Sequence, residues 1–168
     1  MTAPVLDLHR DHLEAMFAHA ARDYPYECCG LLFGPAEPAP AVSEVAPIRN
    51  IQDRLHGEDP EHYPRDSRIA YVMDPEEHLH VTRAAESRGL VLKGFYHSHP
   101  DHDVYFSDED RRLAAPPPWD EPMFPGAAYV VMSVTRDGVA AASQFVWTAD
   151  DSDYREVELH PPEGKQAR

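Results

Sequence analysis

Gly94-Phe95-Tyr96-His97-Ser98-His99-Pro100, taken with Ser107 and Asp110 a few residues on, is the stretch from which the rest of the chain can be read. The apolar run Leu90-Val91-Leu92 leads into it as a strand does. Residues i and i+2 of a strand project to one face, so His97 and His99 can both reach a single metal ion from the strand's end. Pro100 stops the strand, and the loop that follows is expected over 98–106. Ser107-Asp108-Glu109-Asp110 has the Ser-x-x-acid form of a helix start, which turns Asp110 back towards the histidines. Two neutral imidazoles, one carboxylate and an open fourth position make the layout of a catalytic rather than a structural zinc site. The chain holds 11 histidines, so a His-x-His pair also arises by chance, and a set of His97, His99 and His102 is chemically sensible for zinc.

Outward from this stretch, Leu13, Met16, Phe17 and Ala20 fall at helical spacing and predict an amphipathic helix over 7–21, ended by Tyr24-Pro25. Cys28 to Phe33 reads as a buried strand closed by Gly34-Pro35, and Val42 to Ile51 as a second strand. Residues 52–67 are polar, proline-punctuated and aperiodic, which predicts a flexible loop whose His56 and His62 are solvated rather than metal ligands. Ile69 to Met73 reads as a strand. Asp74-Pro75-Glu76-Glu77 opens a helix with a capping Asp and Pro at the first helical position, and Gly89 closes it. A short helix is expected from Asp108 to about Ala114, then strands over 127–135 and 139–148 joined at Arg136-Asp137-Gly138. The tail from about residue 160 has little to pack. Pattern alone says α/β or α+β, and the length suits one domain over 1–168.

The 30 acidic and 15 basic residues give a formal net charge of −15, which argues against nucleic acid as a partner. No run of about 18 apolar residues suits a membrane, and the start lacks the basic and apolar regions of a signal peptide, so a cytoplasmic location is expected. Cys28 and Cys29 are adjacent, poorly placed for a disulfide with each other and too few for a cysteine zinc site; they read as small buried strand residues.

His-Ser-His-Pro, six residues, Ser, two residues and Asp, from His97 to Asp110, resembles the signature of the JAMM (MPN-plus) zinc metalloprotease family. Pro25-Tyr26-Glu27-Cys28-Cys29-Gly30-Leu31-Leu32-Phe33-Gly34 is similar to the family's strand with the catalytic glutamate, and Tyr129 to Val134 to the strand after the site. The resemblance spans roughly residues 8–148. It implies a cytidine-deaminase-like α-β-α sandwich with a mixed, curved sheet, and a Zn2+ held by His97, His99 and Asp110. On composition alone Glu27 is equally an exposed acid at a strand start; the resemblance makes it the catalytic base. It likewise makes Ser107 an oxyanion donor, where the sequence alone offers a helix cap, and one hydroxyl is not expected to serve both roles fully. Ser98 points to the opposite face of the strand and reads as structural.

The implied reaction is hydrolysis, of deubiquitinase-like type, of a peptide or isopeptide bond after the Gly-Gly tail of a ubiquitin-like or sulfur-carrier protein, as in the stand-alone bacterial members. Two other readings stand beside it. JAMM-like domains that lack ligands act as non-catalytic protein-binding scaffolds, but here the Glu, His, His and Asp are all present. A cupin-like metalloenzyme also uses His-x-His, yet Pro100-Asp101-His102-Asp103 lacks the glutamate it expects.

Overall fold

The computed structural model describes residues 2–160. Its strands are β1 Cys29–Pro35, β2 Glu44–Ile48, β3 Leu90–Pro100, β4 Ala128–Thr135, β5 Gly138–Thr148 and β6 Asp153–Leu159; its helices are α1 Arg10–Asp23, α2 Gln52–Glu58, α3 Pro75–Ser87 and α4 Asp108–Ala114. The strands form one sheet in the order β2-β1-β3-β4-β5-β6. Only β3 and β4 are parallel; the other neighbours are antiparallel.

Alternation along each strand sorts side chains onto two covered faces. Leu32, Tyr96, Val130 and Met132 pack with Leu13, Met16 and Ala20 of α1. Leu31, Phe33, Phe95, Tyr129 and Val131 pack on the other side with Ala85 of α3 and Ala114 of α4. The result is the expected α-β-α sandwich on a mixed sheet. It is an open sheet rather than the double-sheet jelly roll of a cupin.

Asp74 caps α3, accepting from the Glu76 and Glu77 amides, and Pro75 holds the first helical position. Four expectations need correction. The first half of 52–67 is helix α2, and the second half is tied to it: Gln52 Nε2 donates to the Arg65 carbonyl (2.6 Å), and Ser67 N and Oγ donate to the Asp53 carboxylate (2.8 and 2.7 Å). These bonds run from side chains to nearby groups and leave no apolar period to read. Residues 69–73 form no strand beyond a single bridge of Met73 to Asn50, because the Asn50 side chain takes the backbone groups a strand partner would need. Strand β3 continues through Pro100, with His99 opposite Ser133 and Pro100 opposite Val134, so the loop starts later than expected. Strand β6 was not anticipated at all. Its Arg155, Glu156 and Glu158 hide the apolar Tyr154, Val157 and Leu159, as suits the last strand of a sheet. Of the tail expected from about residue 160, residues 161–168 lie outside the described residues.

Gly94 allows the parallel pairing of β3 with β4. A Cβ there would sit 2.5 Å from the Ala128 carbonyl oxygen, which is backbone and cannot turn aside. Gly94→Ala is therefore expected to destabilise the protein by about 3 kcal/mol, the upper end of overpacking costs. Denaturant unfolding of the two proteins checks this.

Candidate functional site

Strand register builds the site. Cys29 pairs with His97 across β1 and β3, and Ser98 N donates to the Cys28 carbonyl (3.1 Å). One step further along the same antiparallel pair, Glu27 comes opposite His99. Because the side chains of residues 27, 29, 97 and 99 share the parity of Leu31 and Phe95, all four lie on the face that α3 and α4 cover. Ser98 lies on the other face, where its Oγ accepts from the Cys28 amide (2.8 Å) and stitches the strands together.

Helix α4 supplies the third group. Ser107 caps it: Oγ accepts from Asp110 N and Ser107 N donates to Asp110 Oδ2, both at 3.0 Å. This reciprocal clamp aims the carboxylate at the histidines. His97 Nε2 and His99 Nε2 are 3.2 Å apart, and Asp110 Oδ2 lies 3.4 Å from the first and 3.8 Å from the second. A tetrahedral ion with ligand bonds of about 2.0–2.1 Å needs donor atoms about 3.3 Å apart. Two sides of the triangle, 3.2 and 3.4 Å, match that spacing, and the third, at 3.8 Å, is longer. His99 Nδ1 meets the Asp103 carbonyl at 3.1 Å and must donate to it, which leaves the Nε2 lone pair facing into the triangle.

Glu27 also approaches the two imidazoles, with donor atoms within 4.8 Å of one another. Both acids therefore reach the two imidazoles, Glu27 from just ahead of β1 and Asp110 Oδ2 at 3.4 and 3.8 Å. Glu27 is 5% exposed, and its Oε2 is buried without a hydrogen-bond partner. An orphaned carboxylate oxygen beside converging donors is what a water or ion in the triangle would satisfy. Of the alternative ligands, His102 contributes its backbone carbonyl to Ser133 Oγ (2.6 Å), while His56 meets the Tyr63 carbonyl and His62 the Asp59 carboxylate. It is Asp110 that joins His97 and His99.

The electrostatics divide the two acids. Burial pushes Glu27 up to about 8, with the nearby Asp110 charge adding to it and His99 and Arg65 working against it. Burial alone would raise Asp110 too, but His97, His99 and Ser107 hold it well below the usual carboxylate range. Burial opposes a proton on His99, yet Asp110, the Asp103 carbonyl and Glu27 together raise its pKa. One acid is thus suited to carry a proton and the other to stay ionised. Cys28 and Cys29 are buried free thiols whose pKa values burial raises, Cys28 to about 12, so neither is a nucleophile at neutral pH.

Two residues of the site were missed as parts of it. Tyr71 stacks on the His97 ring, centroids 4.6 Å apart, where His97 Nδ1 has no hydrogen-bond partner. Stacking rather than an N–H bond holds that imidazole, and no local pattern around Tyr71 signals it. Asn50 is the second. Its amide nitrogen donates to the carbonyls of Glu27 (3.0 Å) and Ala70 (3.3 Å), and its oxygen accepts from Gln52 N (3.0 Å) and Val72 N (3.1 Å). Asn50→Ala leaves those four backbone groups without this partner. It is expected to cost about 2–3 kcal/mol, as unsatisfied buried polar groups do, in a thermal or denaturant unfolding measurement.

Three comparisons bear on this arrangement. A family model described as prokaryotic homologues of the JAB domain matches residues 9–148. The chain is 33% identical over 163 residues to a desampylase of Haloferax volcanii, covering 95% of this chain and 98% of that one. It is 35% identical over 136 residues to a CysO-cysteine peptidase of Mycobacterium tuberculosis, covering 81% and 77%. The solution structure of a Desulfitobacterium hafniense protein superposes with a TM-score of 0.65 at 27% identity, over 90% of this chain and 88% of that one.

Proposed function

Since this chain belongs to the prokaryotic JAB-domain family, we propose that it is a zinc-dependent peptidase or isopeptidase that cuts after the Gly-Gly tail of a ubiquitin-like or sulfur-carrier protein. One observation carries the reading: the His97, His99 and Asp110 donor triangle with the orphaned Glu27 carboxylate beside it. The names of the relatives, desampylase and CysO-cysteine peptidase, support a hydrolase of this class.

His97, His99 and Asp110 would hold the zinc. When bound, the ion supplies Lewis acidity, which lowers the pKa of a water from about 15.7 to about 7. Glu27 takes a proton from the attacking water and gives it to the departing amine. Burial raises the Glu27 pKa in the metal-free site, and a cation held beside it would draw it back towards the ionised form that a base needs. The water oxygen ends on the terminal glycine's carbonyl carbon, the C–N bond breaks, and the amine leaves with the proton. Ser107 donates its O–H to the oxyanion that forms on the way. Accepting from the Asp110 amide occupies a lone pair of Ser107 Oγ, and in this reading the hydroxyl proton is shared between the Asp110 carboxylate and the oxyanion.

One JAB-type unit acting in the cytoplasm completes the reading; no described helix is long and apolar enough to cross a membrane. The test is incubation of the zinc-loaded protein with carrier fusions extended beyond Gly-Gly, followed by mass spectrometry. Products ending in Gly-Gly support the reading. Binding of the carrier without cleavage supports the scaffold alternative instead.

A further inference from the structure

The cavity that opens onto Glu27, His99 and Asp110 has a volume of about 550 Å3, and its lining includes three arginines, Arg65, Arg68 and Arg112, of which Arg65 is close enough to act on the Glu27 charge. In a chain with a net charge of −15, three guanidinium groups beside one site ask for an explanation. Arg112 is accounted for. It grips Glu109 in a two-bond fork, Nε to Oε2 at 2.9 Å and Nη2 to Oε1 at 2.7 Å. That leaves Glu109 little to offer Arg65, whose Nη2 stands 3.9 Å from Oε1. Arg68 N donates to Asp66 Oδ1 (2.9 Å), but its guanidinium has no carboxylate within 4.0 Å among the described residues and lies over the Tyr26 ring, 5.9 Å from its centroid. The remaining acids of the cavity, Glu27 and Asp110, belong to the metal corner. Outside that corner the cavity therefore has two cations in excess. Both stand on the segment after α2, which Glu27 N and Gln52 Nε2 anchor through the carbonyls of Ser67 and Arg65. Their backbone is thus set with respect to the site.

We propose that Arg65 and Arg68 form a subsite for a carboxylate on the leaving side of the scissile bond, a specificity element that rests on the hydrolase reading above. A guanidinium recognises a carboxylate through parallel N–H bonds, and partial enclosure in a cavity strengthens the attraction. The two kinds of leaving group differ here. An amino acid joined to the Gly-Gly tail through its α-amine carries its own free carboxylate two bonds from the departing nitrogen. A lysine side chain joined through its ε-amine brings none nearby. The subsite favours the first class, so the chain selects carriers that end in a single α-linked residue.

Three carrier fusions test this, ending in Gly-Gly-Ala with a free carboxylate, Gly-Gly-Ala with a C-terminal amide, and Gly-Gly-Glu with a C-terminal amide. The free acid is expected to be cleaved with a kcat/KM about tenfold or more above that of the Ala amide, the worth of a charge-assisted hydrogen bond. The same preference is expected in equilibrium binding to the Glu27→Gln protein, and the ratio falls to about one in the Arg65→Gln/Arg68→Gln double variant. Recovery by the Glu amide identifies any nearby carboxylate as the ligand; failure to recover identifies the α-carboxylate. Equal cleavage of acid and amide by the wild type, or a preference that survives in the double variant, overturns the subsite and leaves the hydrolase reading standing. Cleavage of none of the three overturns both.

Discussion

Glu27→Gln protein is expected to bind zinc as tightly as the wild type and to hydrolyse its carrier substrate about a thousandfold more slowly. General acid and base groups contribute about 10²–10⁴-fold, and in the proposed reaction Glu27 serves on both sides. The substitution is well matched to its purpose. Burial holds the Glu27 carboxyl at a pKa of about 8, so at neutral pH without metal it is mostly the neutral acid, which glutamine copies in size and charge. The fold should therefore not notice the change. The donor triangle is built from other residues, so metal content, measured by elemental analysis after dialysis, stays near one ion per chain. Single-turnover hydrolysis reads the loss. Full activity in this variant would remove Glu27 as the base.

His99→Ala is expected to lose both metal and activity. It deletes one of three donors, which should weaken zinc by well over the 10–100-fold typical of partners one shell further out. Zinc titration with a competing chelator measures this apart from turnover. The deletion also strips the Asp103 carbonyl of its partner and opens space against the Tyr105 ring, which lies 4.8 Å from the imidazole. A modest loss of stability accompanies it. Asp103→Ala makes the control, since only the backbone carbonyl of Asp103 is used and the variant should keep its zinc. If His99→Ala retained zinc at wild-type affinity, the triangle would not be the metal site.

How much of this was legible in the chain follows from the range of the forces involved. Helix α3 announced itself because capping by Asp74 and the preset φ of Pro75 act within one turn. Helix α4 and its capping box were legible for the same reason, and so was the His97–His99 pair, whose shared face is a property of any strand. Helix α2 and the segment after it were not. Their order comes from bonds such as Gln52 to Arg65 and Asn50 to Glu27, between residues that sequence patterns treat as independent. Strand β6 was hidden for a different reason: at the edge of the sheet it buries little, so its charges outweighed its alternation.

By itself, then, the order of residues determined the two-residue step that puts His97 and His99 on one face and the turn that swings Asp110 round, because each is settled by dihedral preferences and hydrogen bonds a few residues long. Only the tertiary structure decided that Glu27 stands beside them. That depends on a β1–β3 register joining positions seventy residues apart, on the Gly94 contact that lets β3 and β4 run parallel, and on Asn50 tying the Glu27 carbonyl in place. The unusual acidity of Glu27 is likewise tertiary, since a carboxyl has no raised pKa until the rest of the chain has folded over it and excluded water.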